Sequence, residues 1–444
     1  MSAGRGCQPA RAADPQIKLD EQDRGLRAGS SSSLSQAQYQ MIVVGGLAAD
    51  LTCDYAPLDC FNEKVFPALH TSNPATISHN VGGVGHNIAL AAHYAGASTL
   101  LLSAVGDDPT GHTVLKQAQE NGLPTINILR PDRPVVAART AQYVAMNDGN
   151  KDLVMAMADM SIFSSPLLNS AHIWRETITK HRPSWVVLDS NWSEEIIERI
   201  IAAARLVPAR IALDPVSVQK SSRLIRILND RTVSPNHIID LVAPNALELQ
   251  NMHRIATEKL LFEGESWSQM IDALQLSSSE SRDRLAQMTS VELVDRGIPQ
   301  KGLQLLPYLS CIVTKLGAQG SLLTQLLSPT DSRLHDPDVA QHILARTDAK
   351  NVATAHVGGV YMRLFPPTEV VPKEDVVSVN GVGDTLLGVL VAGLSKHGTG
   401  DGDNDASSAY RPERVEDLLM LAQNASIRSL KDTRSVSASI PRYF

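Results

Sequence analysis

Downstream of residue 40, the chain alternates between short apolar runs and longer stretches in which apolar residues recur at helical spacing. Short, continuously apolar runs are typical of strands buried on both faces of a parallel sheet. We predict such strands at residues 42–44, 100–105, 185–188, 211–213, 241–243 and 311–314. Residues 194–205 are predicted as a helix, with Ser193 at its N-cap and two glutamates in its first turn. This alternation predicts an α/β fold with a doubly wound, mostly parallel sheet flanked by helices.

Polar or charged residues follow several of the predicted strands. They are Asp107 and Asp108, Asp189, Asp214, Asn245 with Glu248, and Lys315. Ligands of open α/β sheets bind beyond the carboxyl ends of the strands, so we expect these residues to face one crevice. Taken singly, each is also a suitable cap or turn residue.

One segment departs from the alternation. Residues 139–144 and 153–157 flank the sequence Asn-Asp-Gly-Asn at 147–150, which is a strong signal for a hairpin turn. An antiparallel ribbon is expected here, and residues after Cys53 are expected to add strands to it. We therefore predict a small β lid from about residues 52–78 and 139–157.

The remaining divisions of the chain follow from composition. Residues 1–40 are polar and contain four consecutive serines, so we predict a disordered tail. Residues 41–444 are assigned to a single large domain, in which polar segments at about 276–299 and 329–354 interrupt the strand and helix pattern and are interpreted as insertions.

Composition narrows the class of protein. Apolar residues make up 43% and charged residues 20% of the 444 residues, with a net charge of -7. A chain without a basic surface is a poor partner for nucleic acid. Its four cysteines lack CxxC spacing, and no apolar stretch is long enough for a signal peptide or a membrane span. We expect a cytoplasmic protein that acts on a small molecule, with a mitochondrial location as the second choice because of arginines in the tail.

The strongest candidate for chemistry lies near the C-terminus. The sequence Asn-Gly-Val-Gly-Asp at 380–384 precedes a long apolar run. Glycines before a helix leave backbone N–H groups and the positive end of the helix dipole facing one point, which suits a phosphoryl group. A carboxylate beside that point can accept the proton of an attacking hydroxyl. Aspartate is also a favoured N-cap, so this motif alone leaves both interpretations open.

A second glycine cluster precedes another apolar helix. It comprises Gly82, Gly83 and Gly85, followed by Asn87, whose amide can both donate and accept hydrogen bonds to sugar hydroxyls. The cluster is neither a Walker A loop nor a complete dinucleotide fingerprint. A plain packing turn is the alternative. His79 and His86 flank this motif and are expected to be structural or solvated.

Together the motifs resemble those of the PfkB (ribokinase-like) carbohydrate kinases, and they occur in that family's order. The matching segments are 45–50, 82–87, AVGDDPTG at 104–111, PNALE at 244–248, KLGAQG at 315–320 and GVGD at 381–384. The resemblance implies a ribokinase-like fold and ATP-dependent phosphorylation of a small hydroxyl compound. Because six motifs agree, their joint specificity is far higher than that of any one motif.

The resemblance also implies roles for individual residues. Asp384 would be the general base, and Gly381, Val382 and Gly383 would form the anion hole. Sugar hydroxyls would be contacted by Asp50, Gly82, Gly83 and Asn87. Asn245 and Glu248 would order magnesium through water, and Lys315, Gly317, Gly320 and Asn424 would lie on the ATP side. Val382 departs from the alanine usual in the family, adding bulk beside the phosphate path, which puts full activity in doubt.

Within the family, the segment on the predicted lid is similar to that of pseudouridine kinases. The similarity rests on Thr140, Ala141, Tyr143, Asp148, Gly149 and residues 158–160. It implies pseudouridine as the substrate, with Thr140 and Tyr143 contacting it, although both could also be ordinary strand residues. Homodimerisation through the lid and a monovalent cation are further possibilities that the family suggests.

Three alternatives stay open from the sequence. The chain could be a ribokinase- or adenosine-kinase-like enzyme with another sugar or nucleoside as its substrate. It could also be a non-catalytic nucleoside-binding protein with the same fold. A Rossmann dehydrogenase ranks last, because the dinucleotide fingerprint is incomplete.

Overall fold

The computed structural model describes residues 17–18, 39–56, 66–131, 138–274, 281–347, 354–396 and 415–444. The predicted disordered tail therefore lies mostly outside the described residues. Its described part includes the two-residue strand Ile17–Lys18, which pairs antiparallel with residues 130–131.

Within these residues, fifteen strands form two sheets. They are β1 (Ile17–Lys18), β2 (Met41–Val44), β3 (Ala48–Tyr55), β4 (Ala75–Gly82), β5 (Thr99–Ala104), β6 (Ile128–Pro131), β7 (Ala141–Asn147), β8 (Leu153–Asp159), β9 (Trp185–Asp189), β10 (Arg210–Asp214), β11 (Leu241–Val242), β12 (Cys311–Lys315), β13 (Ser321–Leu327), β14 (Ile343–Arg346) and β15 (Gly359–Phe365). The main sheet has the order β1-β6-β5-β2-β9-β10-β11-β12-β13-β15-β14, and the small sheet has the order β4-β3-β7-β8. From β6 to β12 every neighbouring pair in the main sheet is parallel.

Helices cover both faces of the main sheet. In the described residues they are α1 (Val84–Tyr94), α2 (Pro109–Glu120), α3 (Ala171–His181), α4 (Glu194–Ala204), α5 (Ser222–Ile227), α6 (Ala246–Glu258), α7 (Glu265–Ala273), α8 (Ser281–Met288), α9 (Val291–Asp295), α10 (Ile298–Leu305), α11 (Val382–Lys396) and α12 (Val415–Leu430). Successive strand residues point to opposite faces. Ile42 accordingly packs in a cluster with residues of α4 and α6, whereas Val43 packs in a cluster with residues of α1 and α11.

The predicted α/β class is confirmed. All six predicted strands are present, with differences of one or two residues at their ends. The predicted helix at 194–205 is α4, and the Ser193 hydroxyl accepts a hydrogen bond from the Ile196 N–H group at its N-terminus. Among the described residues, no helix has the length and apolarity needed to cross a membrane.

The small sheet includes the predicted hairpin. Strands β7 and β8 pair antiparallel, and the Asp148 carboxylate accepts hydrogen bonds from the Asn150 and Asp152 N–H groups in the turn. Strand β3 begins a few residues after β2 ends, so the small sheet starts at the carboxyl end of a central strand. Its role as a lid stays a prediction.

Both segments interpreted as insertions contribute to the packed body of the protein where they are described. Leu285, Leu293 and Ile298 are buried in the hydrophobic core. Strand β14 extends the edge of the main sheet beside β15. Whether these segments are insertions relative to other family members stays a prediction.

Candidate active site

Glycines allow the start of α1 to lie against the end of β2. Gly83 has a φ of 94°, and a Cβ at that position would lie 2.5 Å from the Gly46 carbonyl oxygen. Glycine tolerates both the positive φ and the close approach. The same carbonyl accepts a hydrogen bond from the His86 N–H group at 3.0 Å. This contact sets the position of the first turn of α1, which carries Asn87.

The glycine motif at 380–384 lies against the first turn of α1. Gly381 has a φ of 74°, with no space for a Cβ beside the Ser435 carbonyl oxygen, and α11 begins at the next residue. Asp384 lies in the first turn of α11, where its Oδ2 accepts a hydrogen bond of 2.9 Å from Asn87 Nδ2. The predicted base and the predicted sugar ligand, 297 residues apart in sequence, are therefore in direct contact.

The surroundings of Asp384 favour a carboxyl group that exchanges its proton near neutral pH. Burial and the negative charge of Asp214 raise its pKa to about 7, against the opposing effects of the Asn87 hydrogen bond and the Lys315 charge. A base is most effective when its pKa lies near the working pH. Asp384 thus meets both the geometric and the acid-base requirement for accepting a hydroxyl proton.

A buried ion pair lies beside the glycines of the motif. Lys315 Nζ is 2.8 Å from Asp214 Oδ2, and a Cβ at Gly383 would lie 3.1 Å from the same amine. Burial by itself lowers the pKa of Lys315, but Asp214 and Glu248 outweigh it and raise the pKa above its ordinary value. The lysine is therefore charged, and it adds a fixed cation to the N-terminus of α11, where an anion is favoured.

A cluster of hydrogen-bonded polar side chains supports the loop after β2. Sequence reasoning missed most of the residues in this cluster. Asp189 is fully buried and accepts hydrogen bonds from the Gly46 N–H group at 2.6 Å and from Asn191. Lys220 Nζ in turn donates to Asn191 Oδ1 at 2.6 Å. Only Asp189 had a sequence signal, as a strand-end residue. Asn191 and Lys220 lie in loops without a recognisable motif.

The predicted substrate residues of the small sheet share one face. Asp50 pairs with Asn80 on one neighbouring strand and with Tyr143 on the other. Burial raises the pKa of Asp50 to about 7, and burial followed by the Asp50 charge raises the pKa of Tyr143. The Asp50 carboxylate lies against Gly82, where any side chain would overlap it. Asp50, Gly82 and Tyr143 therefore form one local group.

The structure shows a packing role for Thr140, and its contact with a substrate stays a prediction. Its side chain is fully buried, its hydroxyl donates to Asp108 Oδ1 at 2.7 Å, and it accepts from the Gly106 N–H group at 2.9 Å. The hydroxyl joins the start of β7 to the N-cap of α2. A β-branched polar residue at a strand end looks the same in sequence whether it faces a ligand or a neighbouring loop.

Residues predicted on the nucleotide side lie around the end of β12. Asn245 and Lys315 form a bridge between neighbouring strand ends, and Gly317 and Gly320 lie in the turn between β12 and β13. Asn424, on α12, is hydrogen-bonded to the Thr368 hydroxyl. Their contact with ATP stays a prediction.

The predicted magnesium residues form a capping box at the start of α6. Asn245 Oδ1 accepts from two N–H groups of the helix, while Glu248 Oε2 accepts from the Asn245 N–H group at 2.8 Å. Glu248 keeps one carboxylate oxygen for another partner. In the described part of the chain, no three histidine, cysteine or acidic side chains are grouped so that they could hold a metal. This donor set fits a hydrated Mg²⁺ bound mainly by phosphates and water, and not one held directly by the protein.

Fold and site together define a class. An acidic side chain with a pKa near 7, the N-terminus of a helix and a buried lysine converge at the carboxyl edge of an α/β sheet. That arrangement is suited to moving an anionic group onto a hydroxyl.

Comparison with known proteins gives a family match for about half of the chain. Residues 42–262 match the model for the pfkB family of carbohydrate kinases. A pseudouridine-metabolizing bifunctional protein of Schizosaccharomyces pombe is 27% identical over 80% of this chain and 43% of its own length. The pseudouridine kinase of Escherichia coli is 31% identical over 42% of this chain and 54% of its own length. The chain thus spans about half the length of these relatives.

The fold comparison agrees. The structure of ribokinase from Giardia lamblia superimposes with a TM-score of 0.56 at 15% identity, covering 92% of this chain and 97% of that one. The chain therefore matches the pfkB family of carbohydrate kinases over residues 42–262 and has the ribokinase-like fold. Members of this class transfer a phosphoryl group to a hydroxyl group.

Proposed function

We propose that this protein transfers the γ-phosphoryl group of ATP to the 5'-hydroxyl of pseudouridine. The observation that carries the proposal is the contact between Asn87 and Asp384 at the N-terminus of α11, beside Lys315. Two relatives whose names refer to pseudouridine support this choice of substrate. The alternatives are another nucleoside or a free sugar.

The proposed reaction uses the chain's own groups in sequence. Asp384 accepts the proton of the 5'-hydroxyl as its oxygen attacks the γ-phosphorus. The bond from that phosphorus to the bridging oxygen breaks, and the electron pair leaves with ADP. Backbone N–H groups of Gly381, Val382 and Gly383, with the Lys315 ammonium, balance the charge on the transferring group. Asn87, by bonding Asp384, orients the carboxylate.

Substrate contacts are assigned to the groups that surround this point. Asp50 and Tyr143 on the small sheet, with Gly83 and Asn87 at the start of α1, would hold the nucleoside. Magnesium supplies charge neutralisation of the ATP phosphates when it is bound. Glu248 and Asn245 would hold its water shell, Glu248 through the carboxylate oxygen that does not accept from the Asn245 N–H group.

We also propose that the protein is a homodimer that pairs through the small sheet. Six large apolar side chains on that sheet are more than a third exposed: Ile77, Met146, Leu153, Val154, Met155 and Met157. A cluster of exposed apolar side chains on one sheet is typical of a contact surface.

The test is ADP release by the purified protein with ATP and magnesium, comparing pseudouridine with uridine, adenosine and ribose. Turnover that is highest with pseudouridine and absent in Asp384→Asn supports the proposal. Asp107→Asn is the matched control, because Asp107 is exposed and lies in the loop before α2. Preference for another acceptor would replace the substrate, and binding of nucleoside without any turnover would favour the non-catalytic alternative.

A further inference from the structure

A lysine that no sequence motif indicates lies beside the loop after β2. Lys220 Nζ donates a hydrogen bond of 2.6 Å to Asn191 Oδ1, and Asn191 Nδ2 donates in turn to Asp189 Oδ2 at 3.0 Å. A Cβ at Gly46 would lie 3.0 Å from Asn191 Nδ2, so this amide packs directly against the loop. Asn191 is buried, whereas Lys220 keeps partial exposure.

The same loop leads to two groups that are assigned to the acceptor. The Gly46 carbonyl oxygen holds the first turn of α1, which carries Asn87. Strand β3 starts directly after the loop and carries Asp50. Lys220 therefore lies on the acceptor side of the candidate active site.

The loop that carries Lys220 is held in a strained conformation. Val216 has a φ of 69°, a value that β-branched residues rarely adopt. Its N–H group donates to Asp214 Oδ1 at 2.8 Å, and Asn251 Nδ2 on α6 donates to the Val218 carbonyl oxygen at 2.6 Å. Strained backbone persists only where the surroundings impose it, and it is concentrated at binding and active sites. These contacts fix the loop from which Lys220 extends.

Lys220 has hydrogen-bonding capacity that the described residues do not use. An ammonium group has three N–H donors, and Asn191 accepts from one of them. Lys315 is paired with Asp214, but no described carboxylate lies at ion-pair distance from Lys220. Burial lowers the pKa of Lys220, and the charge of Asp189 opposes this only in part. A partly buried cation in these surroundings is stabilised by an oxygen atom of a ligand.

We propose that Lys220, positioned by Asn191, is a further substrate-binding residue whose ammonium group donates a hydrogen bond to an oxygen atom of the acceptor. An ammonium group can only donate, so the partner is a hydroxyl of the sugar or a carbonyl of the base. The inference rests on the proposed function, because the acceptor site is the one assigned there. It adds a residue that the family resemblance did not indicate.

The first test measures acceptor binding without turnover. Pseudouridine, uridine, adenosine and ribose are titrated into the full chain by calorimetry in the absence of ATP. Lys220→Met should weaken binding of the tightest of these compounds by about tenfold or more, as expected for one lost hydrogen bond to a charged group. A loss for pseudouridine and uridine alone would assign the partner to a base carbonyl, and an equal loss for all four would assign it to a sugar hydroxyl. Unchanged affinity would mean that water alone solvates Lys220, and it would overturn the proposal.

The matched control is Lys301→Met. Lys301 is also partly exposed, and its amine donates to backbone carbonyl groups at the start of α10. Acceptor affinity should stay unchanged in this variant. An equal loss in both variants would contradict a specific role for Lys220.

Acylation of lysine amines followed by peptide mass spectrometry gives a second measurement, on the unsubstituted protein. Lys220 should react in the free protein and be protected by an acceptor but not by ATP alone, while Lys301 reacts equally in every sample. An unreactive Lys220, or one that none of the four compounds protects, would overturn the proposal even if Lys220→Met does not fold. Protection without ADP release would reject the kinase reaction alone, and ADP release without protection would reject the role of Lys220 alone.

Discussion

At the residue scale, Asp384 is set apart by its surroundings. Aspartates at the first turn of a helix are usually exposed caps with acidic pKa values. Asp384 is half-buried, bonded to Asn87 and close to Asp214, and these conditions raise its pKa to about 7. The resulting carboxyl group is protonated in mild acid and ionised in mild base.

This pKa predicts how the proposed reaction depends on pH. Because the ionised form is the base, kcat/KM should rise about tenfold per pH unit below about 7 and become level above it. Asp384→Asn should lower kcat by about 10²–10⁴-fold and remove this limb of the profile. ADP release measured from about pH 5 to about pH 9 checks both expectations. A profile that stays level through pH 7 would contradict the assignment of the base.

Thr140 gives a second prediction at this scale. Thr140→Val keeps the shape of the side chain but leaves the buried Gly106 N–H group without its acceptor and removes one of the hydrogen bonds to the Asp108 carboxylate. The free energy of unfolding should fall by about 1–3 kcal/mol, while KM for the acceptor stays unchanged. Urea denaturation and steady-state kinetics together distinguish this structural role from the substrate contact implied by the family resemblance. A large rise in KM at unchanged stability would instead support the substrate contact.

At the scale of elements, the site depends on strand ends that lie side by side. Parallel strands β10, β11 and β12 end at the same edge of the sheet, which places Asp214 beside Lys315. Glu248 is held near them by the capping box of α6. Helix α11 then begins over this pair, with Gly383 against the lysine amine.

Removing one member of this pair should destabilise the fold. Lys315→Met leaves the buried Asp214 carboxylate without its cation, and we expect the free energy of unfolding at neutral pH to fall by about 3 kcal/mol. Lys116→Met is the matched control, since Lys116 forms an exposed pair with Glu120 on α2 and should change stability by less than about 0.5 kcal/mol. Denaturant titration of the two variants makes the comparison. Equal small losses would show that the Asp214 pair contributes little.

At the scale of the whole molecule, the two sheets differ in how much of their surface is covered. The main sheet is covered by helices on both faces and contributes most of the core. The small sheet has apolar residues on β4, β7 and β8 that remain exposed in one chain. A second copy of the chain would remove that surface from water.

The proposed dimer can be tested by substituting charged residues into the exposed apolar surface of the small sheet. Leu153→Lys with Met157→Lys places two cations on the exposed apolar surface, and the protein should sediment as a monomer while its unfolding midpoint stays nearly unchanged. Leu206→Lys with Leu247→Lys is the matched control, because these exposed leucines lie outside the small sheet. Analytical ultracentrifugation gives the result. A monomer before substitution, or a dimer that survives it, would contradict pairing through this sheet.

Much of the fold was predictable because buried strands, caps and turns each have a characteristic local sequence pattern. Strands such as Met41–Val44 are apolar throughout, since helices cover both sides of them. The cap at Ser193 and the hairpin turn at 147–150 follow from hydrogen bonds that close within a few residues. The order of the glycine motifs further indicated the family before any contact between them was known.

What only the tertiary structure decided are contacts between residues far apart in sequence, together with the burial that changes their chemistry. The bond between Asn87 and Asp384 spans 297 residues, and no local pattern encodes it. The hydrogen bond from the Thr140 hydroxyl to Asp108 joins two elements, and the sequence did not indicate it. Nothing in the sequence set Lys220 apart from other lysines, and only the fold places its ammonium group against Asn191. Local periodicity determines which residues leave water, but a pKa or a binding site depends on the neighbours that long-range packing supplies.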